Sequence, residues 1–173
     1  MSNLNLNRIT EAINGARGGL FILCGYPYAG KSYVARELIA RTGIALVSVD
    51  DIFHARGFDW STNRLPSAEE WEEIFDESYT QAQTFIKADK NVLYDSTNHT
   101  RVSRDKLREV ARSVEAESYV IYVRASVDEV WKRWEESTVG GKGRHVISRD
   151  LVATTIAAFE PPAESEGVFV VDN

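Results

Sequence analysis

One octapeptide narrows the choice of fold more than any other stretch of this chain: Gly25-Tyr26-Pro27-Tyr28-Ala29-Gly30-Lys31-Ser32. It follows the apolar run Leu20-Phe21-Ile22-Leu23-Cys24 and precedes helical spacing from Lys31 to about Thr42. A short apolar run bounded by glycines reads as a strand buried on both faces, and Gly43 is placed to cap the helix that follows. Strand, GxxxxGKS, helix is the setting in which this pattern cradles phosphate. Glycine lets backbone N–H groups approach phosphate oxygens, and the start of a helix adds partial positive charge. The expected nucleotide contacts are therefore Gly25, Tyr28, Ala29, Gly30, Lys31, Ser32 and Tyr33, with Lys31 on the β/γ-phosphates and the Ser32 hydroxyl on Mg²⁺.

The rest of the chain repeats the alternation. A short helix is expected around Asn7–Asn14, and a second apolar run, Ala45–Val49, stops at Asp50-Asp51. A loop over His54–Pro66 leads to Ser67-Ala68-Glu69-Glu70, a capping-box pattern opening a helix to about Ala88. Asn91–Tyr94 reads as a third strand, Arg101–Ser113 as a basic helix and Ser118–Val123 as a fourth strand. A second capping box at Ser126-Val127-Asp128-Glu129 starts a helix to about Glu136. After the glycine-rich, basic stretch Val139–Val146, a last helix from about Ser148 to Phe159 is closed by Pro161-Pro162, and Val168–Val171 is a fifth strand. Alternating strands and helices predict an α/β fold of three layers: a five-stranded parallel sheet with helices on both faces and a lid. At 173 residues the chain suits a single domain over 1–173, with the lid at about 137–147.

In such a sheet, right-handed crossovers bring the loops after each strand to one edge, where ligands bind. Polar residues at strand ends are thus the ones to weigh. Asp50 and Asp51 follow the second strand, and a carboxylate there can take the proton of an attacking hydroxyl; the alternative is that they cap a helix at Ile52. Asp95-Ser96-Thr97-Asn98 follows the third. Asp95 is placed to hold Mg²⁺ through water or to orient Ser32, with Thr97, Asn98, Arg101 and Arg104 toward an acceptor; the alternative is an ordinary turn. Arg133 and Arg144 lie in or near the basic glycine-rich stretch, which would exclude water and bring cations to a transferring phosphoryl group. A solvated basic face is its alternative. The acidic helix after Ser67 reads as dipole complementation around a Trp71, Ile74, Phe75, Ser78 core stripe rather than as a metal site. His99, beside Asn98, is a further candidate for acceptor contact.

Composition narrows partners. A net charge of −6 offers no global attraction to nucleic acid or anionic lipid, so nucleic acid is disfavoured. No segment approaches the ~20 apolar residues of a membrane span, and the N-terminus lacks a signal peptide's apolar stretch, so a cytoplasmic protein is expected. The single cysteine, Cys24, reads as a small buried residue.

GxxxxGKS, the Asp50-Asp51 pair, the D-x-T-N element at Asp95–Asn98, the arginine-bearing lid and the ending Phe159-Glu160-Pro161-Pro162 together resemble one group of P-loop kinases. That group includes polynucleotide 5′-hydroxyl kinases, zeta toxins and seryl-tRNA kinase. The resemblance covers almost the whole chain and implies Asp50 as general base, Asp95 as the D-x-T-N acid and Arg133 as a lid arginine. Where those enzymes place an arginine shortly after the aspartate pair, this chain has Phe53. Near Arg133 it has Trp134-Glu135-Glu136-Ser137 in place of a second arginine, a role open to Arg144.

The expectation is an ATP- and Mg²⁺-dependent kinase acting on a hydroxyl of a small molecule, nucleoside or nucleotide. A nucleotide-dependent switch or NTPase without acceptor is the alternative. Narrower ones are a polynucleotide 5′-hydroxyl kinase and a zeta-toxin-like nucleotide-sugar kinase. The chain has no N-K-x-D element for guanine selection.

Overall fold

A computed structural model describes residues 3–60, 64–139 and 147–173. Five strands, β1 (Leu20–Cys24), β2 (Ala45–Ser48), β3 (Val92–Asp95), β4 (Ser118–Arg124) and β5 (Val168–Asp172), form one parallel sheet in the order β2-β3-β1-β4-β5. Among the described residues, seven α-helices connect and flank them: α1 (Asn3–Gly15), α2 (Lys31–Thr42), α3 (Val49–Ala55), α4 (Ala68–Lys87), α5 (Arg101–Arg112), α6 (Val127–Val139) and α7 (Arg149–Ala157).

The period of two in β1 divides the interior. Phe21 and Leu23 face one cluster with Ile9 and Ile13 of α1, Val34 and Leu38 of α2, Val130 of α6 and Val152 of α7. Leu20, Ile22 and Cys24 face the other, with Ile52 and Phe53 of α3, Ile74 and Ile86 of α4 and Leu107 of α5. All five β1 residues are buried, as expected of a central strand covered on both faces. β1 lies at the middle of the strand order, so the loop after it opens at the carboxyl edge where the chain switches sides.

Local signals set the helix ends. Gly43, at φ 68°, donates its N–H to the Ile39 carbonyl and ends α2. Ser67 and Glu70 make both bonds of the capping box. The second box closes only halfway. Ser126 Oγ accepts the Glu129 N–H, but the Glu129 carboxylate binds Arg133 Nε at 2.8 Å instead of turning back.

Two expectations are corrected. The first helix begins at Asn3, because Leu6 and Ile9 also pack on the sheet. The second strand ends at Ser48, and a helix, α3, carries Asp50 and Asp51 in its first turn and takes in His54 and Ala55 of the expected loop. Ser48 is the cap, its Oγ accepting the Asp51 N–H at 3.1 Å, so the aspartates are not needed for that task.

Candidate active site

The P-loop joins the buried carboxyl end of β1 to α2. Gly25 must be glycine, since a Cβ there would come within 2.5 Å of the Val123 carbonyl oxygen. Gly30, at φ 102°, takes a left-handed backbone that L side chains rarely adopt. Tyr28 is also left-handed, at φ 61°, and half-buried; Ala29 is buried; Ser32 and Tyr33 are exposed on the first turn of α2. Lys31 folds back over the loop. Its Nζ donates to the carbonyl oxygens of Gly25 at 3.0 Å and Tyr26 at 2.9 Å.

Charges converge at this edge. Burial lowers the pKa of the Lys31 ammonium, opposed by Asp95, Cys24 and Asp50. Burial pushes the Asp95 carboxyl up to about 6; Lys31 opposes the shift, and Asp50 and Asp51 add to it. Lys31, Asp50, Asp51 and Asp95 thus share one field although they come from three separate elements, α2, α3 and β3. Asp50 and Asp51 are exposed and Asp95 is half-buried. Burial also lowers the half-buried His99, with Lys31 and Arg104 acting in the same sense.

The segment after β3 is tied to the P-loop by backbone. Gly25 N–H donates to the Thr97 carbonyl at 3.2 Å, and the Cys24 thiol to that of Asn98 at 3.3 Å. Asn98 departs from the expected acceptor contact. It is buried at φ 45°, and its Nδ2 donates to the Leu23 carbonyl at 2.7 Å, fastening the segment to β1. Thr97 stays half-buried, its Oγ1 3.4 Å from His99 Nδ1. Arg101 is exposed at the start of α5, 3.4 Å from Asp105.

Arg104 is not available to an anion. It is fully buried, its Nε is 2.7 Å from Glu166, and its Nη1 donates to the Asn98 carbonyl at 3.1 Å. Burial works against the Arg104 charge, and the Glu166 hydrogen bond together with the pull of Cys24 and of the Glu166 charge outweighs it. Cys24 is buried as expected, its thiol pushed up to about 11 by burial.

Arg133 also differs from a free lid arginine. Its Nη1 donates to the carbonyls of Tyr28 and Ala29, both at 3.2 Å, so it braces the P-loop from outside. Residues 137–139 of the expected lid are the end of α6, and Arg144 lies outside the described residues. Phe53, standing where an arginine was weighed, is fully buried and stacks on Trp60 at 4.6 Å and Trp71 at 5.5 Å. The nearby Arg56 is paired with Glu73 and Glu77.

Sequence reasoning missed Asn173, whose Nδ2 donates to the Ala29 carbonyl at 2.6 Å. The strand-end rule that marked Asp50 and Asp95 would have found it, since Asn173 directly follows β5. Among the described residues, no group of three or more His, Cys, Asp or Glu side chains could hold a metal, and no helix is long and apolar enough to cross a membrane. Ser32 and Asp95 supply oxygen donors of the kind Mg²⁺ takes when phosphates and water complete its shell.

The arrangement defines an α/β protein with a phosphate-binding loop at the carboxyl edge of its sheet. A family model, AAA_33, described as an AAA domain, matches residues 20–162, and the chain belongs to that family. No curated protein matches significantly. Among solved structures, a gluconokinase from Sinorhizobium meliloti is 17% identical with a TM-score of 0.62, over 91% of this chain and 83% of that one. Chaetomium thermophilum Kti12 in complex with ADP-AlF3 is 19% identical with a TM-score of 0.68, over 88% of each chain. The Mycobacterium tuberculosis APS kinase CysC, in complex with AMPPNP and APS, is 14% identical with a TM-score of 0.61, over 91% and 89%. At these identities the likeness is one of fold.

Proposed function

We propose that this chain is a kinase that transfers the γ-phosphate of ATP to a hydroxyl group. The observation that carries the reading is the meeting of Lys31, Asp50 and Asp95 at the mouth of the P-loop. One carboxylate, Asp95, serves the cation that any P-loop nucleotide site uses; the second, Asp50, is what transfer to an alcohol requires in addition. In the reaction the acceptor oxygen forms a bond to the γ-phosphorus, the bond from that phosphorus to the β,γ-bridging oxygen breaks, and ADP leaves. Asp50, exposed on the first turn of α3, accepts the hydroxyl proton. The loop's N–H groups and Lys31 hold the donor phosphates, and Ser32 and Asp95 are the residues that would hold Mg²⁺. The metal would neutralise charge on the phosphate oxygens.

The acceptor is a small molecule, nucleoside or nucleotide. On the α3–α4 wall, Phe53 lies in an aromatic stack and Arg56 is held by two glutamates, which leaves that wall poorly suited to clamp an acceptor phosphate. Gluconokinase and APS kinase, named among the structural relatives, phosphorylate small hydroxyl compounds by their names, which supports the same class.

The test is a screen of sugars, nucleosides, other metabolites and 5′-hydroxyl oligonucleotides with γ-labelled ATP. Label on a small acceptor is the expected result. ATP loss at one rate with and without every acceptor would replace the kinase with an NTPase, and label on oligonucleotides alone would move the acceptor to nucleic-acid ends.

A further inference from the structure

Phe159 and Glu160 follow α7 and reach two segments far away in sequence. The Phe159 ring lies 4.5 Å from the ring of Tyr26 and 5.6 Å from that of Tyr122. Tyr26 is the second residue of the P-loop, and its carbonyl is one of the two that hold Lys31 Nζ. One residue on, the Glu160 N–H donates to the His99 carbonyl at 2.8 Å, and the Glu160 carboxylate accepts the N–H of Arg101, the first residue of α5. The first N–H groups of a helix lack partners within it, and a carboxylate there is favoured by the helix dipole. A two-residue bridge therefore joins the P-loop to the segment that carries Thr97 and Arg101.

The bridge is stiff. Pro161 and Pro162 fix their own φ, and Pro161 confines Glu160 to extended backbone. Beyond them the Ala163 N–H is bound by Glu166, whose carboxylate is buried against Arg104 of α5. The Phe159 ring packs on both Tyr26 and Tyr122, so a shift of Tyr26 bears on Phe159 and, through it, on the adjoining Glu160. The trigger lies in the loop. A phosphate at the P-loop competes with the Gly25 and Tyr26 carbonyls for Lys31 Nζ and so changes what restrains Tyr26.

We propose that Phe159 and Glu160 are positioning residues that transmit occupancy of the P-loop to the start of α5, ordering residues 99–104 when nucleotide is bound. This rests on the nucleotide-binding part of the functional reading and is independent of which acceptor is used.

Hydrogen exchange on the full chain, with and without the ATP analogue AMPPNP, tests it in wild type, Phe159→Leu, Glu160→Ala and Glu160→Gln. In wild type the nucleotide slows exchange in residues 25–33 and, by roughly tenfold, in residues 99–104. Phe159→Leu and Glu160→Ala keep the first effect and lose the second. Glu160→Gln, which retains an acceptor oxygen, keeps both. Glu160 is exposed, so its variants test the bridge even if Phe159→Leu unfolds. A purely structural role would speed exchange in both states and leave the nucleotide-dependent difference intact, and that result overturns the proposal. Protection of 25–33 without 99–104 in wild type overturns it while nucleotide binding stands. No protection of 25–33 overturns both.

Discussion

The P-loop side of the site and the side facing it are built in opposite ways. The first is contiguous: Gly25 to Tyr33 supplies the turn, the cation and the hydroxyl, and two strained or crowded positions enforce glycine. The second is assembled from the first turn of α3, the residues after β3 and the Phe159–Glu160 bridge, held by contacts across wide sequence separations. A contiguous site tolerates change elsewhere in the chain, whereas an assembled one depends on every strut. The two sides should therefore fail differently when mutated.

The largest expected effect separates binding from chemistry. Asp50→Asn should lower turnover by about 10²–10⁴-fold and leave the affinity for ATP unchanged in equilibrium titration. Lys31→Ala should lower both. If Asp50→Asn weakens ATP binding as much as Lys31→Ala does, the two sides are not separable.

Next in size is the strut beneath the assembled side. Arg104→Ala leaves Glu166 buried without its partner and should cost about 3–5 kcal/mol of stability by denaturant unfolding. Exposed Arg101→Ala should change stability by no more than about 0.5 kcal/mol. Equal effects would mean that the buried pair is not what holds the segment.

The pH dependence of kcat/KM at fixed Mg²⁺ sharpens the comparison further. Burial raises Asp95 to about 6, so its ionised form, the one that assists a cation, is present above that pH. Activity should fall as pH drops through about 6, by about tenfold per unit below it. Asp95→Asn should remove that limb along with most of the activity. The smallest effect is a control remote from both sides: Ser67→Ala loses the α4 cap, costs about 1 kcal/mol and leaves turnover per folded molecule unchanged.

Legibility in the sequence follows the same division. β1, α2 and its Gly43 cap are local patterns, and the structure places them at the expected residues. The end of β2 is not legible in the sequence, because Val49 continues an apolar run while entering a helix capped by Ser48. Arg104, Asn98 and Arg133 look like ligand-seeking side chains in sequence, but their partners, Glu166, Leu23 and the P-loop carbonyls, are distant along the chain. Helical spacing places Arg104 on the Leu107, Val110 and Ala111 face of α5 and Arg101 at its flank. What spacing does not disclose is the carboxylate that lets an arginine stay on that face, Glu166, 62 residues away.

At the centre of the proposed function, ATP held by the P-loop gives its γ-phosphate to an alcohol whose proton goes to Asp50, and ADP leaves. The most direct measurement is a single turnover of γ-labelled ATP with an active acceptor, following the label into acceptor and into inorganic phosphate for wild type and Asp50→Asn. Wild type should place most of its label on the acceptor, and Asp50→Asn, with ATP still bound, should slow that transfer far more than hydrolysis. Equal partition between acceptor and water in the two proteins, at equal rates, would contradict the proposed function.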